Sequence, residues 1–250
     1  MNTQQVKTDQ PIYSPNRTRL LNALTVATTI SIVLAFALAL FYAGTDQQQG
    51  QVQRIFYIHI SAFVGGSTAF LITVLAGIAY LRTRAPKWDA LAVSSVEVGL
   101  PLMTITLVTG MTWARPIWNT WWTGDPRLNS MAVMWLLYAA YLTLRGAIES
   151  PERRMRYAAI YGIFAFVSVI YVFIVIRIRP DTLHPVVLGP SPVESTAKGS
   201  FGVQDPRMIL AMSVNMIAWM LVPITLIWHR VRMENVAEQV RALKMRLLNQ

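Results

Sequence analysis

The sequence predicts an all-α polytopic membrane protein with six transmembrane helices and both termini in the cytoplasm. Of its 250 residues, 54% are hydrophobic and only 14% are charged, and the mean hydropathy is +0.42. Soluble domains carry about 25% charged residues, so this composition indicates a chain that lies mostly in lipid. The chain has no cysteine, which excludes disulfides, thiolate metal sites and cysteine nucleophiles.

Six apolar runs are long enough to cross a bilayer, whose hydrocarbon core of about 30 Å requires roughly 20 helical residues. The runs lie near residues 20–43, 55–81, 91–112, 128–144, 157–176 and 209–228. The fourth is short for a span, so we expect a neighbouring loop to dip inward or the bilayer to thin there. Ala35–Ala39 looks like a signal-peptide cleavage site, but the apolar run around it exceeds the roughly 7–15 residues of such peptides. The first run is therefore interpreted as a retained span.

The positively charged residues predict the orientation of these spans. Fifteen of the 22 lysines and arginines share one side of the predicted topology: Lys7, Arg17, Arg19, Arg82, Arg84, Lys87, Arg145, Arg153, Arg154, Arg156, Arg230, Arg232, Arg241, Lys244 and Arg246. Cytoplasmic loops carry an excess of such residues, and this bias explains the net charge of +10 better than nucleic-acid binding does. We expect a cytoplasmic tail at 1–19, a membrane domain at 20–228, and a cytoplasmic, partly amphipathic tail at 229–250.

This orientation separates the three histidines. His59, about one turn into the second span, and His184, in the last outward loop, face the outside, whereas His229 ends the sixth span in the cytoplasm. A lone histidine near a helix end is commonly only hydrogen-bonded to its surroundings. Two histidines from separate elements on one side also match the axial ligands of haem iron, while a closed zinc site needs four protein ligands. The histidines alone leave both interpretations open.

The outward loop at 113–127 is rich in tryptophan. It contains four of the eight tryptophans of the chain within ten residues: Trp113, Trp118, Trp121 and Trp122. Pro116 and Pro126 are expected to keep the loop out of a continuous helix. Indoles offer a flat apolar surface, and Arg115 and Arg127 suit carboxylates, so the loop fits a flat ligand such as a porphyrin with two propionates. An aromatic belt at the headgroup level is the alternative interpretation.

The loop sequence also resembles a known family. Trp118–Ser130, W-N-T-W-W-T-G-D-P-R-L-N-S, is similar to the W-G-x-W-W-x-W-D-x-R-L-T-S segment (WWD motif) of the haem-handling proteins of cytochrome c biogenesis. T-G-M-T-W-A-R-P, Y-I-H-I-S and T-L-H-P match further segments of that family, so the likeness covers nearly the whole chain. Six spans place it nearer to the CcmC branch than to the larger CcsA and CcmF proteins. Asn119, Gly124 and Asn129 replace the Gly, Trp and Thr of the motif, so one aromatic face is missing.

The resemblance implies a function and a set of site residues. Proteins of this family present haem b on the outer face of a bacterial or organellar inner membrane and pass it to the haem chaperone CcmE. CcmA and CcmB, which form an ABC transporter, and the small subunit CcmD are the further partners it implies. By position, His59 and His184 are the axial ligands of the iron, and the remaining haem-binding residues are Trp113, Trp118, Trp121, Trp122, Asp125, Arg127 and Leu128.

Two other functions compete with haem delivery. A permease subunit of an ABC-type exporter of haem or another small solute is the first, although the chain lacks a P-loop and a pair of broken inverted helices. A structural scaffold, which predicts no ligand, is the second. No nucleophile–base pair is visible, so an enzymatic role is expected at most as assistance to covalent haem attachment on a chaperone. Glu97, inside the third span, is expected to make a buried polar bond or to be partly hydrated.

Overall fold

The computed structural model describes residues 15–47, 49–179, 181–184 and 205–248. The described chain contains six long α-helices: α1 (Pro15–Ala37), α2 (Ile55–Thr83), α3 (Pro86–Trp118), α4 (Pro126–Ala147), α5 (Pro151–Ile178) and α6 (Pro206–Leu248). A π-helical turn, Leu38–Tyr42, extends α1, and a 3₁₀ turn, Gln51–Arg54, leads into α2. Each of the six apolar runs predicted from the sequence forms one of these helices.

Five of the helices are long and apolar enough to cross a membrane, which makes this a multi-pass membrane protein. They are α1, α2, α3, α5 and α6. The 22 residues of α4 extend about 33 Å at 1.5 Å per residue, a sufficient length, but charged ends and two internal tyrosines lower its hydropathy. Those tyrosines, Tyr138 and Tyr141, are fully buried in the bundle rather than exposed to lipid. That α4 is a sixth span remains a prediction.

The third helix is longer than the sequence predicts. It continues through Pro116 and ends at Trp118, so the expectation that residues 113–127 avoid regular helix is wrong for the first six of them. A proline inside a helix loses the hydrogen bond to the carbonyl four residues earlier, which here belongs to Thr112, and its ring crowds that carbonyl, but it can kink a helix without ending it. The helix also ends two residues later, at Asn119, which has the left-handed φ of 55°. The true loop is 119–125.

The second helix lies at the centre of the bundle and packs against α3, α5 and α6, while α4 packs on α5 and α1 on α6. Glycine allows the closest of these contacts, because a Cβ at Gly65 would lie 2.6 Å from the carbonyl oxygen of Trp219. Pro223, one turn later in α6, has no N–H to bond that carbonyl. Gly65 thus approaches a carbonyl that has no helical hydrogen bond because of Pro223. Small residues commonly allow such close approach between membrane helices.

The end of the bundle that holds the α2–α3 and α4–α5 connections, here the tail end, is closed by ion pairs. Arg145 of α4 binds Asp89 of α3 through two hydrogen bonds of 2.5 and 2.8 Å, and both side chains are largely buried. Arg230 of α6 lies 2.7 Å from Glu97 of α3, and about a third of each side chain is exposed. Of the two expectations for Glu97, a buried polar bond or a partly hydrated carboxylate, this partly exposed ion pair fits the second.

The sixth helix extends well beyond the tail end. The amphipathic tail predicted from the sequence is the continuation of α6, which runs without interruption to Leu248. His229 lies where the two parts of the helix meet, and its Nε2 is 2.8 Å from the hydroxyl of Thr25 in α1. The start of α1 and the end of the apolar part of α6 therefore lie at the same end of the bundle.

Candidate functional site

A cavity opens at the opposite end of the bundle, here the loop end, where α3 and α5 end and α2, α4 and α6 begin. It contains about 1110 Å³ of empty space, including its open mouth, and all its walls lie within about three helical turns of the loop end. The walls are mostly apolar and include four methionines: Met111, Met131, Met212 and Met216.

The first histidine of the cavity, His59, is held between α2 and α3. Its Nδ1 lies 2.9 Å from the backbone carbonyl of Thr106. A carbonyl only accepts hydrogen bonds, so Nδ1 carries the proton and donates, and Nε2 keeps its lone pair. Gly110 makes room for the ring, because a Cβ there would lie 2.9 Å from the Cε1 atom of His59. Sequence analysis missed Gly110, although it belongs to the T-G-M-T-W segment.

The second histidine, His184, is held by a buried carboxylate, Asp125. This residue caps the N-terminus of α4 by accepting the backbone N–H of Arg127 at 2.8 Å. It also accepts the hydroxyl of Thr182 at 2.9 Å, the N–H of Leu183 at 2.5 Å, and Nδ1 of His184 at 3.1 Å. One carboxylate therefore fixes the segment that carries His184 against the start of α4.

The protonation of this pair follows from its surroundings. Burial favours a raised pKa for Asp125, but the hydrogen bonds from His184, Leu183 and Arg127 outweigh it and hold the pKa below its usual range. Burial lowers the pKa of His184 more than its bond to Asp125 raises it. At neutral pH the carboxylate is ionised and the imidazole is neutral, with the proton on Nδ1. A neutral imidazole with a lone pair on Nε2 is the form that binds metals.

Two of the predicted tryptophans lie beside the histidines. Trp113 lines a smaller cavity that adjoins the first and is shared with both histidines, and its Nε1 donates to Gln49 at 2.9 Å. Trp118 packs edge-on between Trp113 and His184, with ring centroids 4.9 and 5.4 Å away. These two indoles support the histidine cluster from one side.

The other two tryptophans differ from each other. Trp122 lines the main cavity, is 37% exposed, and donates from Nε1 to Asn129 at 3.1 Å. Trp121 is 54% exposed and is not among the residues that line either cavity. Leu128 lies in the wall of the main cavity. Asn129, a departure from the family motif, also donates to the carbonyl of Gly124 at 2.8 Å and so holds the loop in shape.

Two arginines line the main cavity, but they are not the pair expected from the sequence. Arg127 lies in the wall, with its guanidinium 5.6 Å from the ring of Phe63. Arg115 bonds to Asn119 at the surface and is not a lining residue. The second lining arginine is Arg177, in the last turn of α5. Its position in the last turn of α5, at the same end of the bundle as the tryptophan loop, is the signal that the sequence offered and that the prediction missed.

The donor set of the cavity favours a metal that arrives with ligands of its own. In the described part of the chain, no three His, Asp or Glu side chains are placed to hold a metal ion together. Two imidazoles do not complete a protein zinc site. They do complete the coordination of haem iron, whose other four ligands belong to the porphyrin. The two histidines, the apolar walls and the two arginines at the cavity all fit that group.

Comparison with known proteins identifies the family of this chain. The family model described as heme exporter protein C matches residues 7–246. Heme exporter protein C of Bradyrhizobium diazoefficiens is 29% identical over 235 residues, which are 91% of this chain and 83% of that protein. The Rhodobacter capsulatus and Escherichia coli K12 proteins of the same name are 28% and 27% identical over 134 and 145 residues. Those alignments cover 54% and 58% of this chain, and 55% and 59% of the relatives. The match over nearly its whole length shows that this chain belongs to the heme exporter protein C (CcmC) family.

Proposed function

We propose that this chain binds haem b in the cavity at the loop end, with His59 and His184 as axial ligands, and delivers it to the chaperone CcmE outside the membrane. One observation carries the proposal. Both histidines reach the same cavity, and each is held by Nδ1, so each has Nε2 available for iron. The name of the family, heme exporter protein C, supports haem as the ligand.

The residues of the cavity have separate roles in this proposal. Haem supplies the iron and its redox chemistry, while the chain binds and orients the group. The Thr106 carbonyl and the Asp125 carboxylate fix the two imidazoles, as outer partners of metal-binding histidines do. Apolar side chains exclude water, and Arg127 and Arg177 offer the charge-assisted hydrogen bonds that propionates accept.

The distribution of charge supports an outward-facing site. The positively charged connections lie at the tail end, which the positive-inside rule assigns to the cytoplasm. The contact between His229 and Thr25 places the start of α1 and the end of the apolar part of α6 at that same end. A chain that starts and ends on the same side of the membrane must cross it an even number of times, and α4 has the length to be the sixth span. We propose CcmE as the acceptor on the outer face, and CcmA, CcmB and CcmD as further partners.

Haem binding is tested by titrating the detergent-purified protein with hemin. The wild type is expected to develop the Soret band of a low-spin, bis-histidine haem, and a His59→Ala/His184→Ala double variant is not. His229→Ala is the matched control, because this histidine lies at the tail end and already bonds Thr25. A wild type that develops no such band would favour a structural scaffold.

Delivery is tested with the haem-loaded protein and purified CcmE. Haem is expected to move to CcmE without nucleotide hydrolysis. A permease subunit would instead move haem into vesicles with its ATPase partner and without any acceptor. The orientation is tested with reporters inserted at 119–125 and at 148–150, which are expected to report the outside and the cytoplasm. A cytoplasmic report from 119–125 would exclude delivery to an outside chaperone.

A further inference from the structure

One wall of the cavity lies between α5 and α6. Both helices pack on α2, but they form no packed interface with each other among the described residues. Side chains of both helices nevertheless line the cavity: Val172, Phe173, Ile176 and Arg177 from α5, and Met212 and Met216 from α6. At this wall, side chains rather than a helix–helix interface separate the cavity from the outside of the bundle.

Phe173 forms the boundary at this wall. It lines the cavity, and 42% of its surface is exposed. Its ring packs against the ring of Phe63, with centroids 4.8 Å apart and planes tilted by 49°. Rotamer changes of such partly exposed side chains occur on the picosecond to nanosecond scale, so this ring can move without any change in the helices.

The boundary lies at the depth of lipid acyl chains. Phe173 is five residues from the end of α5, and Met212 and Met216 lie two to three turns inside α6. At 1.5 Å per residue these positions are roughly 8–15 Å from the helix ends, within one leaflet of a hydrocarbon core of about 30 Å. Ile170 and Ile174, which flank Phe173 on α5, are exposed to the same surroundings. Lipid is the surrounding medium that this apolar surface fits.

From this geometry we infer that the gap between α5 and α6 is a lateral portal from the bilayer into the cavity, and that Phe173 is its movable gate. The inference rests on the proposed function, because the ligand must be a flat, largely apolar macrocycle that dissolves in the leaflet at the loop end. Such a ligand reaches His59 and His184 directly from lipid. Its carboxylates stay at the loop end, where Arg127 and Arg177 line the cavity.

A cross-link across the gap tests the portal, and the absence of native cysteine makes it specific. In a Phe173→Cys/Met216→Cys variant, a bifunctional thiosulfonate reagent bridges α5 to α6. Haem is supplied in phosphatidylcholine vesicles, and the growth of the Soret band gives the uptake rate. The bridged protein is expected to fill several-fold more slowly than the same protein unbridged, and a thiol reductant is expected to restore the rate.

The matched control bridges a pair that is already in contact elsewhere. The hydroxyls of Thr28 in α1 and Thr225 in α6 are 2.8 Å apart, so a Thr28→Cys/Thr225→Cys bridge joins two packed helices away from the cavity. This bridge is expected to leave the uptake rate unchanged. Haem loaded before the α5–α6 bridge is made is expected to stay bound, since the bridge closes the path without touching the histidines.

Single substitutions test the gate. Phe173→Ala is expected to speed uptake from vesicles several-fold, and Phe173→Trp is expected to slow it. Phe164→Ala is the control on the same helix, because Phe164 is 72% exposed and does not line the cavity. Equal uptake rates for the bridged and unbridged protein, or release of preloaded haem by the bridge, would overturn the portal while bis-histidine binding stood. A wild type with no haem spectrum would overturn the proposed function and the portal together.

Discussion

The two ends of the bundle contain the same kinds of polar side chains, but they use them differently. At the tail end, His229 engages Thr25 through Nε2, and Arg145 meets Asp89 with two hydrogen bonds. At the loop end, the ring hydrogen bonds of His59 and His184 to other described residues are made through Nδ1. Nε2 is thus the nitrogen that bonds a partner in His229, whereas in His59 and His184 that nitrogen is Nδ1. We propose that Nε2 of the two loop-end histidines serves the cavity.

This difference separates stability from binding. The tail-end pairs join α3 to α4 and α3 to α6, so their groups are satisfied within the chain. The loop-end hydrogen bonds orient groups whose remaining atoms face a cavity. Removing a tail-end partner should therefore lower the amount of folded protein, and removing a loop-end partner should lower the haem bound per folded protein.

The largest expected effects come from one conservative change at each end. Asp89→Asn leaves the buried Arg145 without its carboxylate, which is expected to destabilise the fold by about 3–5 kcal/mol. Asp125→Asn keeps a residue that can cap α4. Its amide N–H₂ is itself a donor, however, and faces the Leu183 N–H and His184 Nδ1–H that the carboxylate accepts. His184 then loses its support, and haem affinity should fall roughly 10–100-fold. Thermal unfolding and haem titration of both variants measure the two effects. If both variants lost the same stability and bound the same amount of haem per folded protein, the two ends would not differ in function.

Neighbouring tryptophans sharpen the same comparison within the loop. Trp122→Ala removes apolar surface from the cavity wall and is expected to weaken haem binding by about 1–3 kcal/mol, or roughly 5- to 150-fold. Trp121→Ala, a change of the same size at a residue outside the wall, is expected to weaken it much less. The ratio of Soret absorbance to folded protein decides the outcome. A constant ratio in both variants, with poorer membrane insertion, would identify these indoles as an aromatic belt.

A pair of glycines gives the smallest expected effects. A Cβ at Gly110 would press on His59, so Gly110→Ala is expected to weaken haem binding several-fold and to alter the low-spin spectrum. Gly146, in α4 at the tail end, has open space around it. Gly146→Ala is expected to add about 0.5–1 kcal/mol of stability and to leave the spectrum as it was. An unchanged spectrum in Gly110→Ala would show that α3 does not fix the His59 ring.

The helices were predictable from the sequence because lipid demands a long apolar run from each span. The end of α3 was not, since a proline can kink a helix without ending it, and α3 continues past Pro116 to Trp118. The grouping of His59 with His184 at one end followed from the charge of the loops. Their separate supports, Gly110 and Asp125, are contacts between elements and needed the packed structure.

Departures from the family motif were visible in the sequence, but their meaning required backbone geometry. Asn119 replaces a glycine at a position with φ 55°, and asparagine is one of the few other residues that tolerates the left-handed region. Gly124 stands where the motif has tryptophan, and its φ is 72° in this chain. The loop is therefore shaped here by a glycine and by the bonds of Asn129, and Trp122 alone of its tryptophans lines the main cavity.

The most direct measurement is the visible and electron paramagnetic resonance spectrum of haem-loaded His59→Gly, His184→Gly and His229→Gly variants, with and without imidazole. The Nε2 assignments predict that the first two lose the low-spin bis-histidine signal and regain it when imidazole fills the space left by the side chain. The third is expected to match the wild type. Low-spin haem that survives in both of the first two variants, or disappears only in the third, would contradict a site at the loop end.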